Sequence, residues 1–192
     1  MSIALIHNNI LTGTSELEAL ISGCVRNDRS AQFRLYEIFY PRMIGMVKRY
    51  FPDQERAEEI LNNGFLRAFQ KIDSYGYKGS FEGWLRKIVF HAVSDYAKTE
   101  LNYSKNTLFV EKEEFVHKEL AANLFYDDLI KLVYELPEKQ RVVFNMYVFE
   151  DLGHKEIAKN LGFSENTSKW YLSEARKILK EKVEKLGLHL KR

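Results

Sequence analysis

The last third of the chain constrains it most. Residues 136–183 read LPEKQRVVFNMYVFEDLGHKEIAKNLGFSENTSKWYLSEARKILKEKV, a helix followed by a helix, a tight turn and a third helix. Pro137 suits the first turn of a helix, where a missing N–H costs little and a fixed φ helps. Val143, Phe144, Tyr147 and Val148 are expected to form the buried stripe of that helix. In the next one Ile157, Ala158 and Leu161 share a face, and Gly162 stands where a left-handed residue would end it. Ser164 is placed to cap the third helix, which would turn Ser168, Leu172, Ala175 and Leu179 inward. Its other face presents Glu165, Asn166, Lys169, Trp170, Ser173, Arg176 and Lys177, with Thr167 beside the cap. A small Ala158 allows close helix crossing. An ordinary helical hairpin shares some of these features. Turn, cap and both apolar stripes together describe a helix-turn-helix with its last helix free to enter a major groove.

The formal charge of +2 is too small to diagnose a nucleic-acid partner, but its distribution is informative. Residues 154–192 carry ten Lys/Arg against five Asp/Glu, and residues 99–122 carry three against five. Positive charge therefore gathers on the proposed reading helix and its extension, where phosphates would lie. One cysteine excludes an intramolecular disulfide framework, and no Cys/His cluster has zinc spacing. Cys24 falls in phase with Leu17, Leu20 and Ile21, so it is expected to be a core thiol. The opening MSIALIHNNILTG lacks a basic leader, so no signal peptide is expected. No run approaches the ~20 apolar residues that span a bilayer. A cytoplasmic chain without membrane insertion is the expectation.

Upstream, the pattern is helical throughout. Residues 1–14 are expected to be a tail, with Ser15 and Glu18 as a capping box. Ser30 is expected to cap a helix carrying Phe33, Tyr36, Phe39 and Tyr40, and Pro41 to bend or restart it. Pro52 and Asp53 open a regular amphipathic segment, with Ala57, Ile60, Leu61, Phe65, Ala68, Phe69 and Ile72 in phase. Glu55, Glu58 and Glu59 crowd its start while Arg67 and Lys71 sit near its end. That polarity suits the helix dipole and equally suits a partner-binding face. The loop Ser74-Tyr75-Gly76-Tyr77-Lys78-Gly79 combines stacking surface, charge and backbone freedom, the materials of a single-strand binding loop. Ser80 would cap the next helix. There Phe81, Trp84, Leu85, Ile88, Ala92 and Tyr96 point one way, and Arg86, Lys87, Phe90, His91, Ser94, Asp95 and Lys98 the other.

The fold class is therefore all-α: two small helical domains at 15–98 and 123–187, a mildly acidic linker at 99–122, and a tail at 188–192. That linker can span at most ~80 Å at ~3.3 Å per residue.

Four segments carry a resemblance: AEEILNNGFLRAF (57–69), GSFEGWLRKI (79–88), LPEKQR (136–141) and KEIAKNLGFSENTSKWYLSEARKIL (155–179). With them the chain resembles the extracytoplasmic-function (ECF) group of sigma-70 RNA polymerase sigma factors. The resemblance implies a sigma region 2 bundle and a sigma region 4 helix-turn-helix. It implies that Glu55, Glu58, Glu59, Asn62, Asn63, Arg67 and Lys71 dock on core polymerase. Tyr75, Tyr77, Lys78 and Phe81 would line a pocket for a flipped base of the minus-ten element. Arg86, Lys87, Phe90 and His91 would face the duplex and the non-template strand. Ser164, Glu165, Asn166, Thr167, Lys169, Trp170, Ser173, Arg176 and Lys177 would read the minus-thirty-five element. The implied partners are the large-subunit clamp helices and flap of RNA polymerase core, promoter DNA, and an anti-sigma factor of the kind such proteins often have. No catalytic group, metal or cofactor is implied. The chain departs from the family at Asn62 and Asn63, where Gln and an acidic residue are common. It departs again at mid-helical Gly64, at Phe90, His91 and Ser94, at Ser168 where Val is commoner, and at the large Trp170.

Two other classes have weaker claims. A helix-turn-helix regulator that binds operators without entering polymerase explains 136–183 and leaves the aromatic loop and WLRKI helix at 75–91 without a role. An all-α enzyme is disfavoured, because His91, His117 and His154 lack spaced acid or cysteine partners and no phosphate-binding glycine loop precedes a helix.

Overall fold

The computed structural model describes residues 14–103 and 124–185. They form helices α1 (Thr14–Val25), α2 (Arg29–Tyr50), α3 (Gln54–Gln70), α4 (Phe81–Tyr103), α5 (Leu124–Tyr134), α6 (Glu138–Val148), α7 (His154–Leu161) and α8 (Glu165–Lys185). A short 3-10 turn, Ile72–Ser74, follows α3, and there is no strand among the described residues. The expected tails and most of the expected linker lie outside the described residues.

Local chemistry sets the boundaries. The cap of α2 is Asp28, not Ser30: its carboxylate accepts from the N–H groups of Ser30 at 2.8 Å and Ala31 at 3.3 Å. A carboxylate at this position also suits the positive end of the helix. Nor does Pro41 restart the helix, since α2 runs through it. Pro41 and Glu37, the residue whose carbonyl it leaves without a helical partner, are both exposed, so the gap opens to solvent rather than to the core. Asp53 caps α3 through the Arg56 N–H at 2.9 Å, and Ser80 caps α4 through the Gly83 N–H at 3.1 Å. Helix α4 continues to Tyr103, past the expected linker start.

α3 lies along α4 and against α2. Gly64 makes the close approach possible: a Cβ there would sit 3.0 Å from Val89 Cγ2 and 3.1 Å from its Cα. The helix-propensity cost of glycine, ~1 kcal/mol against Ala, is thus the condition for packing two backbones tightly. Leu35, Phe39, Leu61, Phe65, Leu85 and Val89 fill the space between these helices. Phe33, expected on the apolar stripe of α2, instead points to water. Cys24 is buried as expected, and burial, with Asp28 nearby, pushes its thiol up to about 11.

In the second group, α6 buries Val143 as expected, together with Val142 and Met146; of the rest of the expected stripe, Phe144 and Tyr147 are half-buried and Val148 is exposed. α8 packs on α6 and α7. The two helical groups are not separate globules. α7 packs on α4 and α6 packs on α2, so Val142, Val143, Met146, Ile157, Leu161 and Leu172 join one continuous core with the first four helices.

Candidate nucleic-acid interface

The turn between α7 and α8 is built as its residues dictate. Gly162 takes φ 73°, and its N–H donates to the Ala158 carbonyl at 2.9 Å. Ser164 Oγ accepts from the Thr167 N–H at 3.1 Å. α8 then turns Ser168, Leu172 and Ala175 inward, while Glu165, Asn166, Lys169, Trp170, Ser173, Arg176 and Lys177 are all exposed. Ser164 is exposed as well and Thr167 half-buried. Lys169 and Glu165 pair at 2.8 Å one turn apart, and this hydrogen bond and charge hold the Glu165 carboxyl below its usual range. Trp170 is 55% exposed, its ring edge-on to Tyr171. Arg176 lies 5.3 Å over the Tyr147 ring, which orients its guanidinium at the rim of the face.

The unusual Ser168 has a structural answer. Fully buried, its hydroxyl lies 3.0 Å from Nδ1 of His154, whose ring stacks on Tyr147. A serine is tolerated in the crossing of α7 and α8 because it has a partner there.

The loop before α4 departs from expectation. Tyr75 and Phe81 are buried, with the Tyr75 hydroxyl donating to the Gly79 carbonyl at 2.8 Å and its ring against Phe81 and Trp84. They were expected to line an open pocket. Instead they form the floor on which the loop rests, because two large rings beside a core recover more apolar burial than they would in water. At the loop tip Tyr77, at φ 54°, and Lys78 remain exposed.

The outer face of α4 is divided. Lys87 and His91 are exposed. The stripe Arg86, Phe90 and Ser94 is not: Ser94 is buried, Phe90 half-buried beside Tyr50, and Arg86 Nη2 donates to both oxygens of Glu150 at 2.7 and 2.9 Å. Sequence reading missed Glu150. It lies between predicted helices in a segment with no periodicity, so nothing local distinguishes it from a solvated loop acid.

On α3, Glu55, Glu59, Asn62, Asn63 and Lys71 are exposed. Glu58 accepts from the Tyr40 hydroxyl at 3.1 Å, Asn62 Oδ1 from the Tyr36 hydroxyl at 3.0 Å, and Arg67 pairs with Asp95 at 2.5 Å. Leu66, 56% exposed beside them, was not singled out from sequence. Its signal was available: it is a leucine out of phase with the apolar stripe of its own helix. Among the described residues no group of three or more His, Cys, Asp or Glu could hold a metal, and no helix is long and apolar enough to cross a membrane.

Residues 35–101 match the family model for Sigma-70 region 2, and residues 126–179 match that for Sigma-70, region 4. The chain belongs to the sigma-70 family. It is similar to the RNA polymerase sigma factor YlaC of Bacillus subtilis, 24% identical over 161 residues that cover 79% of this chain and 91% of that protein. It is also similar to the ECF RNA polymerase sigma factor SigM of the same organism, at 25% identity over 149 residues covering 76% and 91%. With the ECF RNA polymerase sigma-E factor of Escherichia coli it shares 22% identity over 182 residues, covering 88% and 95%.

A sigma-70 chain of the ECF group is a promoter-specificity subunit, and its partners are RNA polymerase core and promoter DNA. The region 2 match accounts for the half of the chain that an operator-binding regulator would leave unexplained, and that alternative falls away.

Proposed function

We propose that this sigma factor grips a promoter at two points while docked on core polymerase through α3. The exposed face of α8 enters the major groove of the minus-thirty-five element. There Lys169, Arg176 and Lys177 meet phosphate or base edges, and Trp170 offers an apolar surface to a thymine methyl. Tyr77 and Lys78 at the loop tip, with Arg86, Lys87, Phe90 and His91 on α4, receive the unpaired strand of the minus-ten element. Tyr75 and Phe81 hold the loop in place from beneath. Glu55, Glu58, Glu59, Asn62, Asn63, Arg67 and Lys71, joined by Leu66, form the surface for the clamp helices. Sites of this kind need no catalytic group and no cofactor, because polymerase supplies the chemistry, and the chain works in the cytoplasm with it.

The observation that carries this reading is the α8 face. Seven polar or aromatic residues are exposed on one face of a helix whose opposite side buries Ser168, Leu172 and Ala175. Run-off transcription with bacterial core polymerase on genomic promoter fragments tests it. Core plus this chain is expected to give discrete transcripts absent with core alone. Stable duplex binding by the chain with no association with core would contradict it.

A further inference from the structure

We propose that His154 is a phosphate contact of the upstream element, and that its ring gains a proton on docking, with the buried Ser168 hydroxyl placed to accept from the charged form. It rests on the sigma-factor reading, which brings the duplex to α8.

Three observations carry it. The first is place. His154 opens α7 and is half-exposed, and its Nδ1 lies 3.0 Å from Oγ of the fully buried Ser168. That leaves Nε2, across the ring, as the nitrogen for a ligand. On α8, helical spacing sets Glu165 and Arg176 along the edge of the exposed face that borders Ser168 and Leu172. His154 stands beside that edge. Lys169 lowers the Glu165 carboxyl most, and His154 and Lys155 act in the same direction. Tyr147 orients the imidazole, with ring centroids 5.1 Å apart and 29° between planes, and Arg176 lies 5.3 Å over the same tyrosine ring. One tyrosine thus holds a histidine and an arginine at the rim of the face.

The second is the partner inside. A neutral imidazole has one N–H, and a serine hydroxyl can donate or accept, so the pair is satisfied in either direction. An imidazolium has two N–H groups. Ser168 Oγ then accepts from Nδ1, and Nε2 becomes a charge-assisted donor for a phosphate oxygen. An apolar residue at 168 would leave the inner N–H of a charged ring without a partner.

The third is the balance of charge. Lys155, Arg176 and the N-terminal end of α7 oppose a positive ring. Glu165 favours one, but Lys169 engages it at 2.8 Å, and Glu156 accepts from the Gly153 N–H at 3.0 Å. Tyr147, from α6, is neutral, and Asp151 in the loop before α7 is exposed. From α4, packed on α7 across the seam between the two helical groups, Arg86 is paired with Glu150, while Lys87 and His91 are exposed. A phosphate at Nε2 adds the counter-charge that tips the ring to imidazolium, so docking takes up a proton.

The test uses holoenzyme. Core polymerase with wild type, His154→Gln or Ser168→Val is titrated onto a transcribed promoter fragment, and protection of the upstream element is read at pH ~6 and pH ~8. Core brings the same pH dependence to all three. Glutamine keeps a donor and an acceptor toward Ser168 and carries no charge at either pH. One proton taken up changes affinity by at most ~10-fold per pH unit, and wild type is expected to gain ~5–10-fold more than His154→Gln between the two conditions. Ser168→Val is expected to lose most of that gain with its denaturation midpoint close to wild type. A gain in His154→Gln equal to that of wild type would overturn the proposal, and a full gain in Ser168→Val would remove the serine from it. Transcription by wild type on the same fragment separates two failures. Transcripts with identical pH profiles sink this inference alone, whereas no transcripts in the presence of core sink the sigma reading beneath it.

Discussion

Helices α4 and α8 both carry a face that we propose meets DNA, and the structure treats the two oppositely. On α8 the outward residues from Glu165 to Lys177 stand free of the rest of the molecule apart from local partners such as Tyr147 and Tyr171. On α4 the corresponding stripe is packed under α7 and tied to Glu150. The difference suits the two proposed tasks. A duplex-reading helix needs only to project. A surface that captures unpaired bases carries exposed aromatic and cationic groups, and in a free chain these find burial within the molecule. α4 therefore has two packing partners of different character. On one side α3 meets it across Gly64 and Val89 with apolar contact; on the other α7 packs on it and Glu150 ties Arg86.

Substitutions can break that distinction directly. Leu85→Ala, on the fully buried side of α4, is expected to cost about 2–5 kcal/mol of stability, read by urea denaturation. Phe90→Ala, on the seam side, should cost less than half as much. Equal losses would mean that the seam is as much a core as the α3 side. On α8, Trp170→Ala and Lys169→Ala should each weaken use of the upstream element by about 1–3 kcal/mol with affinity for core unchanged, measured by footprinting and by core titration. Loss of core binding would contradict the assignment of this face to DNA.

Alkaline pH sharpens the comparison more gently. Burial, then the Glu150 charge, raise the Tyr50 hydroxyl well above 10.0, and burial raises Cys24 from 9.0 to about 11. Both groups are neutral when protonated, so the stability they contribute is fully present below their ordinary values and is lost as pH rises through the folded ones. Denaturation midpoints are expected to hold up to pH ~9 and fall above it, with the scattering radius growing as Tyr50 ionises beside Glu150. The smallest effect is expected from Ser168→Val. It removes a buried hydroxyl whose partner, His154, is itself half-exposed to water, and should change stability by less than about 1 kcal/mol.

Much of this was legible in the residues. The helix-turn-helix could be read because its signals are local: Gly162 must adopt positive φ, Ser164 caps three residues on, and the apolar spacing fixes which side of α8 faces inward. Gly64 stood out in mid-helix, and its close neighbour Val89 is the reason for it. One error was local: Asp28 displaced Ser30 as cap, a contest between residues two apart that pattern alone does not decide. The others came where a residue's role depends on a neighbour distant in sequence. Tyr75 and Phe81 read as ligands for a base because loop aromatics look the same whether they face outward or rest on a core. Ser94 read as exposed because periodicity assigns one buried face per helix, and α4 has two. Glu150 could not be found at all, since its meaning lies in Arg86 and Tyr50, 64 and 100 residues away.

Permanganate footprinting of one transcribed promoter fragment tests the two-point grip most directly. The chain alone, core alone and the two together are compared for thymine reactivity across the minus-ten region and for protection upstream. The account predicts upstream protection without reactivity for the chain alone, and reactive thymines only when core and chain are both present. Reactive thymines with the chain alone, or none with the complete mixture, would contradict it.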